Sequence, residues 1–275
     1  MTGSEFREQL TEASDRIIVA YDGMEWDQIM ATAEEVGPYT GLGKTNSAHV
    51  RPGADFAVDQ LGSTGQFTML DSKFHDIPRT VELSVREATL AGASLVTVHA
   101  GGGQAMLEAA VKGAEEGRND QRDAFKRQAS GRLGGVLGIT VLTSLDAEDC
   151  FSIFGIPKED EDGIKKKVVE FTHMALDAGL TGIVCSPLET EAIRANSNFD
   201  SLLVVNPGIT PDHAKKEGDQ KRTTNATQAI EAGADFVVVG GGINKAADYG
   251  ITKAEAAQKI SAEVEKGLTN RLHRG

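Results

Sequence analysis

Residues 67–78 read Phe67-Thr68-Met69-Leu70-Asp71-Ser72-Lys73-Phe74-His75-Asp76-Ile77-Pro78, an apolar run followed by four ionisable side chains. If residues 67–73 form a strand, its two-residue period places Asp71 and Lys73 on the same face, with Asp76 just past the strand end. Charges at the edge of an apolar core are costly to desolvate unless they are paired or used. We therefore predict a functional site at the end of this strand.

Similar β-rich runs recur along the chain, separated by segments with a helical pattern. The eight predicted strands are residues 17–22, 41–46, 67–73, 95–100, 136–144, 182–186, 202–207 and 236–240. Several helical segments end in glycine just before a strand, as at Ala91-Gly92-Ala93, which is typical of βα units. Eight such units predict an α/β fold of the (β/α)8 TIM barrel type, as a single domain over residues 1–275 with short N-terminal and C-terminal extensions.

The composition narrows the class of partner. The formal net charge of -13 argues against nucleic acid or an anionic membrane as the main partner, so an anionic substrate needs a local cationic pocket. Neither a secretory signal nor a membrane-spanning run is expected, which predicts a cytoplasmic protein. We interpret Cys150 and Cys185 as structural or incidental. The charged stretches 115–132 and 147–163 are predicted to be solvated helix or loop.

Charged side chains end the first four predicted strands. In a barrel of this type the carboxyl ends of the strands and the loops after them carry the site. The residues at these ends are Asp22, Lys44, Asp71, Lys73 and His99. A ring of ion pairs that only stabilises the barrel mouth is the alternative, although buried pairs stabilise less well than apolar packing.

The later strand ends are polar or rich in glycine and include Ser144, Pro207, Gly240 and Gly241. Loops after strands seven and eight commonly bind phosphate in this fold. Backbone N–H groups of a glycine turn can hold an anion, although a tight turn explains the same glycines equally well.

Two other motifs are discounted. Gly41-Leu42-Gly43-Lys44-Thr45 lacks the glycine that a P-loop has five positions before Gly43, where this chain has Pro38. A metal site built from Asp71, Asp76 and nearby histidines is disfavoured because Lys73 would repel a divalent cation. No metal or cofactor is therefore predicted.

The sequence resembles the orotidine 5'-phosphate decarboxylase family. The family pattern Asp-x-Lys-x-x-Asp-Ile-x-x-Thr is matched in full at residues 71–80. Further segments that occur in family order are Val98-His99-Ala100, Val141-Leu142-Thr143-Ser144, Cys185-Ser186-Pro187, Pro207-Gly208-Ile209 and Gly218-Asp219-Gln220-Lys221-Arg222. The resemblance covers roughly Asp15 to Leu268.

This resemblance implies decarboxylation of orotidine 5'-monophosphate to uridine 5'-monophosphate without a cofactor, in pyrimidine biosynthesis. Lys73 would protonate the carbon that loses carbon dioxide, and Asp71 would face the substrate carboxylate. Asp22 and Lys44 would hold the ribose hydroxyls, with Lys44 also joining the charged array. An Asp, Lys, Asp, Lys array keeps each group ionised through its neighbours of opposite charge.

The resemblance also implies a homodimer with shared active sites, because Asp76 and Thr80 would reach into the neighbouring subunit's site. Ser144 would bind the pyrimidine amide, and Gln220 would bridge the base and the phosphate. His99 would lie behind the substrate-contacting residues.

The chain departs from the family at the phosphate. The arginine that normally follows Val-Gly on strand eight is Gly241 here, and the arginine that many bacterial relatives carry after Pro-Gly-Ile is Thr210. The missing charge could come from Lys215, Lys216, Lys221, Arg222 or Lys245, or the turn Gly240 to Gly242 could bind phosphate by its backbone alone. The third explanation is a different substrate.

A different substrate leaves two alternative functions open. One is a sugar-phosphate decarboxylase or aldolase-like enzyme of the same barrel group. Such relatives generally use magnesium and an acidic residue on strand two, where Lys44 would repel the cation. The other is a non-catalytic ligand-binding barrel, although the retention of Lys73 argues against it.

Overall fold

The chain folds into a closed barrel of eight parallel strands, which confirms the predicted (β/α)8 architecture. In the computed structural model, residues 1–120, 134–215 and 224–274 are described. The strands lie side by side in chain order, and β1 pairs with β8 to close the barrel. They are β1 Ile17–Ala20, β2 Leu42–Thr45, β3 Phe67–Phe74, β4 Leu95–His99, β5 Gly135–Ile139, β6 Gly182–Val184, β7 Leu203–Asn206 and β8 Phe236–Val239.

Helices alternate with the strands along the described ranges. They are α1 Gly3–Arg7, α2 Trp26–Val36, α3 Ala54–Gly62, α4 Pro78–Ala91, α5 Gln104–Asn119, α6 Ala147–Phe154, α7 Gly163–Asp177, α8 Thr190–Arg194, α9 Ala226–Glu231, α10 Gly241–Asn244 and α11 Lys253–Arg274. The end of α4 illustrates the predicted glycine stop, because Gly92 has φ 102°, a left-handed conformation that favours glycine. No helix within these ranges is both long and apolar enough to cross a bilayer.

The barrel interior is packed with apolar side chains from alternate strand positions, including Ile18, Met69, Leu137, Leu203 and Phe236. Neighbouring positions point outward, and side chains such as Ile17, Val19 and Val96 join the clusters under the surrounding helices. This two-sided burial explains why the strands read as continuous apolar runs.

Helix α1 covers the amino-terminal end of the barrel. Phe6 packs edge-to-face on Phe236, with ring centroids 5.8 Å apart. Arg7 donates to the Asp235 carboxylate at 2.7 Å, and Arg194 also donates to this carboxylate at 2.7 Å. Asp235 is fully buried and also accepts from the Val204 N–H at 2.9 Å. One buried carboxylate therefore links α1, α8 and β7 at this amino-terminal end, which is the floor of the barrel.

The predicted strand bounds agree with the structure to within two residues except at the fifth strand. That strand was predicted over residues 136–144 but ends at Ile139, so the prediction was wrong for its last part. Its neighbour β6 has only three residues. The Thr140 N–H still donates to the Val184 carbonyl oxygen at 3.1 Å. Beyond Thr140 no strand pairing follows within the described ranges, and the chain turns at Leu142–Leu145.

The two charged stretches have different outcomes. Residues 115–119 continue α5, whereas residues 121–132 lie outside the described ranges. The stretch 147–163 begins with α6, which is mostly exposed and buries Cys150. Solvated helix is therefore the correct description of α6.

Candidate active site

The site begins at an irregularity in β3. Leu70 pairs with Val96 and Phe74 pairs with Val98, so three residues of β3 lie opposite the single β4 residue Thr97. Lys73 has φ 51° and is the one non-glycine residue within the described ranges with a positive φ. A left-handed lysine costs about 1–3 kcal/mol and persists only where its surroundings enforce it. Bulges of this kind redirect side chains next to active sites.

Asp71 lies at the centre of a hydrogen-bonded charged array. Its Oδ2 accepts from Lys73 Nζ at 2.5 Å and from Lys44 Nζ at 3.1 Å. Lys44 Nζ also donates to both carboxylate oxygens of Asp22, at 2.9 Å each. The array therefore alternates in charge, in the order Asp22, Lys44, Asp71, Lys73.

Burial differs sharply along this array. The side chains of Asp71 and Lys44 are only 9% and 8% exposed, whereas those of Lys73 and Asp22 are 33% and 56% exposed. Burial by itself raises the pKa of Asp71, but the charge of Lys44 and the hydrogen bond and charge of Lys73 outweigh it, so that the pKa is lowered. Asp71 is therefore ionised, and it lines the cavity together with Lys44, Lys73 and the second carboxylate, Asp22.

A cavity of about 510 Å³ opens at the carboxyl ends of the strands. The predicted site residues among its lining are Asp22, Lys44, Asp71, Lys73, Pro207, Gly240 and Gly241. Apolar side chains such as Met69, Ile139 and Val184 form its floor. The charged part of the lining thus comes from the first three strand ends, and most of the remaining lining is apolar or glycine-rich.

Three predicted site residues do not line this cavity, and a fourth lies outside the described residues. Ser144 is exposed in the turn after β5, where Thr143 lines the cavity instead. Asp76 and Thr80 are exposed at the start of α4. Gln220 lies outside the described residues, as do Lys216, Lys221 and Arg222.

The remaining candidates for the phosphate contact can be located. Lys215 is ion-paired with Asp212 at 2.7 Å. Lys245 lines a groove that shares Gly240 and Gly241 with the cavity, and Lys253 lines the same groove. Lys253 Nζ donates to Thr32 Oγ1 at 2.6 Å, and neither Lys245 nor Lys253 has an ion pair with any residue that the structure describes.

Two residues that the sequence analysis did not identify brace the array. Thr97 Oγ1 donates to Asp71 Oδ1 at 3.0 Å and accepts from the Lys73 N–H at 2.9 Å. Asn46 Nδ2 donates to the Asp71 carbonyl oxygen at 2.8 Å. Thr97 could have been identified from the sequence, because it is a polar residue in the middle of the apolar strand β4.

His99 ends β4, next to the array. Its ring is 5.5 Å from that of His75, and neither residue lines the cavity. Burial, the neighbouring His75 and the charge of Lys73 lower the pKa of His99. Among the residues in the described ranges, no group of three or more His, Cys, Asp or Glu side chains is arranged to hold a metal ion.

The chain is a closed (β/α)8 barrel with a buried carboxylate–lysine array at the carboxyl ends of its strands. This combination is typical of barrel enzymes that stabilise charge developing on a substrate. The family model described as "Orotidine 5'-phosphate decarboxylase / HUMPS family" matches residues 15–260. The chain belongs to this family, as its motifs indicate.

Individual relatives agree with this assignment. The orotidine 5'-phosphate decarboxylase of Heliobacterium modesticaldum is 39% identical over 261 residues, which cover 94% of this chain and 100% of that protein. The enzyme of the same name from Anaeromyxobacter sp. is 39% identical over 251 residues, which cover 90% and 98%. The crystal structure of orotidine 5'-phosphate decarboxylase from Lactobacillus acidophilus is similar with a TM-score of 0.70 and 26% identity, covering 90% and 98% of the two chains.

Proposed function

We propose that this protein decarboxylates orotidine 5'-monophosphate to uridine 5'-monophosphate without a cofactor. The observation that carries the proposal is the array of Asp22, Lys44, Asp71 and Lys73 at the cavity wall, with Asp71 between two ammonium groups. Family membership and the names of the relatives support the same substrate.

The proposed reaction breaks the bond between the pyrimidine ring and its carboxylate. Carbon dioxide leaves, and the bonding electron pair stays on the ring carbon, where Lys73 Nζ stabilises the developing negative charge and then donates a proton to it. The ionised Asp71 faces the substrate carboxylate and disfavours that ground state. Lys44 and Asp22 bind the ribose hydroxyls at the adjacent part of the wall.

The proposal is tested by incubating the purified chain with orotidine 5'-monophosphate in the presence of a chelator and without added metal. Loss of substrate absorbance, with uridine 5'-monophosphate and carbon dioxide formed in equal amounts, is the expected result. A chain that is folded but gives no turnover would sink the proposal.

The sugar-phosphate alternative is less well supported. Lys44 Nζ lies within hydrogen-bonding distance of both Asp22 and Asp71, at 2.9 and 3.1 Å. A divalent cation held by these carboxylates would have to displace this ammonium group. Magnesium-dependent turnover of a sugar phosphate in the same assay series would favour the alternative.

The active sites are proposed to be shared between two copies of the chain. Asp76, Ile77 and Thr80 form an exposed edge at the start of α4, and Ile77 is 67% exposed. Since Asp76 and Thr80 do not line the cavity of their own chain, their implied contact with substrate requires a second subunit related by a two-fold axis.

Mixing two inactive variants tests the shared site. Lys73→Ala and Asp76→Ala dimers are each expected to be nearly inactive, because one of the two groups is missing from every site. After subunit exchange at equal concentrations, half of the dimers are mixed and each holds one intact site, so about a quarter of the wild-type activity should return. If no activity returns although exchange is demonstrated by mass, both residues act within one chain.

The phosphate group is proposed to lie at the turn Gly240 to Gly242. Gly241 is exposed, and a Cβ added to it would have no heavy atom within 4 Å. Lys245 and Lys253 line the adjoining groove, and neither has a carboxylate partner among the described residues. A lysine cannot reproduce the bidentate contact that arginine makes with phosphate.

Gly241→Arg is therefore expected to lower the KM for orotidine 5'-monophosphate by roughly 10- to 100-fold, since a hydrogen bond to a charged group contributes about 1.5–3 kcal/mol. The measurement is initial rate against substrate concentration. The phosphate-free nucleoside orotidine is the control substrate, because its KM should not respond to the new charge. An equal change for both substrates would place the phosphate elsewhere.

A further inference from the structure

The hydroxyl group of Thr97 connects the two charged residues at the centre of the array. Thr97 is fully buried in β4, and its Oγ1 lies between Asp71 Oδ1, to which it donates at 3.0 Å, and the Lys73 N–H, from which it accepts at 2.9 Å. One hydroxyl group thus uses both its donor and an acceptor position within the site.

The bond to Lys73 replaces a missing ladder contact. Because Thr97 is the single β4 residue opposite Asp71, Ser72 and Lys73, the regular backbone pairing of β3 with β4 is interrupted there. The Thr97 side chain supplies the acceptor for the Lys73 N–H at the residue whose φ is 51°. This hydrogen bond stabilises Lys73 in its left-handed conformation, which a regular strand does not contain.

The bond to Asp71 fixes the orientation of its carboxylate. Oδ2 accepts from both Lys44 and Lys73, whereas Oδ1 accepts from Thr97. Without the hydroxyl group, Oδ1 would lose this partner on a side chain that is only 9% exposed, and rotation of the carboxylate would disturb both lysine contacts.

We propose that Thr97 is a positioning residue that sets the geometry of Asp71 relative to Lys73. The inference rests on the proposed decarboxylation, and it assigns to Thr97 no contact with substrate. A merely structural threonine would affect the free energy of unfolding but leave the kcat of the folded enzyme unchanged.

Thr97→Val removes the hydroxyl group at nearly constant volume and is expected to lower kcat by about 10- to 100-fold, with KM changed by less than about threefold. Thr97→Ser retains the hydroxyl group and should restore kcat to within about fivefold of wild type. The matched control is Thr68→Val on β3, because the Thr68 hydroxyl is buried without a hydrogen-bond partner among the described residues.

A pH profile separates positioning from simple destabilisation. Loss of a donor to the ionised carboxylate raises the pKa of Asp71, so the acid limb of kcat/KM should move to higher pH in Thr97→Val. The limb should stay in place in Thr68→Val and Thr97→Ser.

The outcomes distinguish this inference from the function on which it rests. An inactive wild-type chain contradicts the proposed function. An active wild type with Thr97→Val equal to Thr68→Val in kcat and pH profile overturns the role of Thr97. If Thr97→Val does not fold, Thr97→Cys, whose thiol is a weak donor, gives the same comparison, and an unchanged kcat there overturns the proposal.

Discussion

Lys73→Ala is expected to lower kcat/KM for orotidine 5'-monophosphate by at least about 10⁴-fold, because it removes both the proton donor and the cation that faces the developing charge. The fold should persist, since the side chain of Lys73 is 33% exposed and Asp71 retains Lys44 and Thr97 as partners. The decrease in substrate absorbance measures the effect, and circular dichroism checks the fold.

Lys259→Ala is the matched control, since Lys259 is an exposed lysine on α11 that does not line the cavity. Its kcat/KM should equal that of wild type. Retention of more than about one hundredth of the activity in Lys73→Ala would exclude Lys73 as the proton donor and require another group of the cavity for that step.

Asp235→Asn is expected to have the largest effect on stability. The buried carboxylate binds Arg7 and Arg194, and removal of its charge leaves two guanidinium groups without their shared counter-ion. Breaking a buried pair in this way costs about 3–5 kcal/mol in the free energy of unfolding. Chemical denaturation monitored by tryptophan fluorescence measures the change.

Asp200→Asn provides the comparison, because Asp200 is exposed in the same neighbourhood and contacts Arg7 through its backbone oxygen. Its effect should be below about 0.5 kcal/mol, as for most surface substitutions. If the two variants unfold at the same denaturant concentration, the buried carboxylate does not stabilise the barrel floor.

The sequence predicted the barrel because its strands are buried on both faces. Val237, Val238 and Val239 show no alternation that would mark an exposed face, and glycine-ended helices separate such runs. The end of β5 could not be predicted in the same way. Val141 and Leu142 are as apolar as strand residues, but the length of the neighbouring β6 ends the ladder, and that length is a tertiary property.

The charged site was predictable in its composition and less so in its geometry. Asp22, Lys44, Asp71 and Lys73 form one hydrogen-bonded array, as the strand-end positions indicated, while their catalytic roles stay predictions. The two-residue period did not predict the bulge or the left-handed Lys73, because these depend on Thr97 of the next strand. A contact across strands leaves no local sequence pattern.

The docking of α1 on the barrel floor has a consequence for biosynthesis. Arg7 precedes its partner Asp235 by 228 residues along the chain. At 5–20 residues per second, the ribosome needs roughly 10 to 50 s to cover this interval. During that time α1 lacks Asp235 and β1 lacks its pairing partner β8. The nascent barrel can therefore close its floor and its sheet only after the segment of Asp235 and β8 has been made.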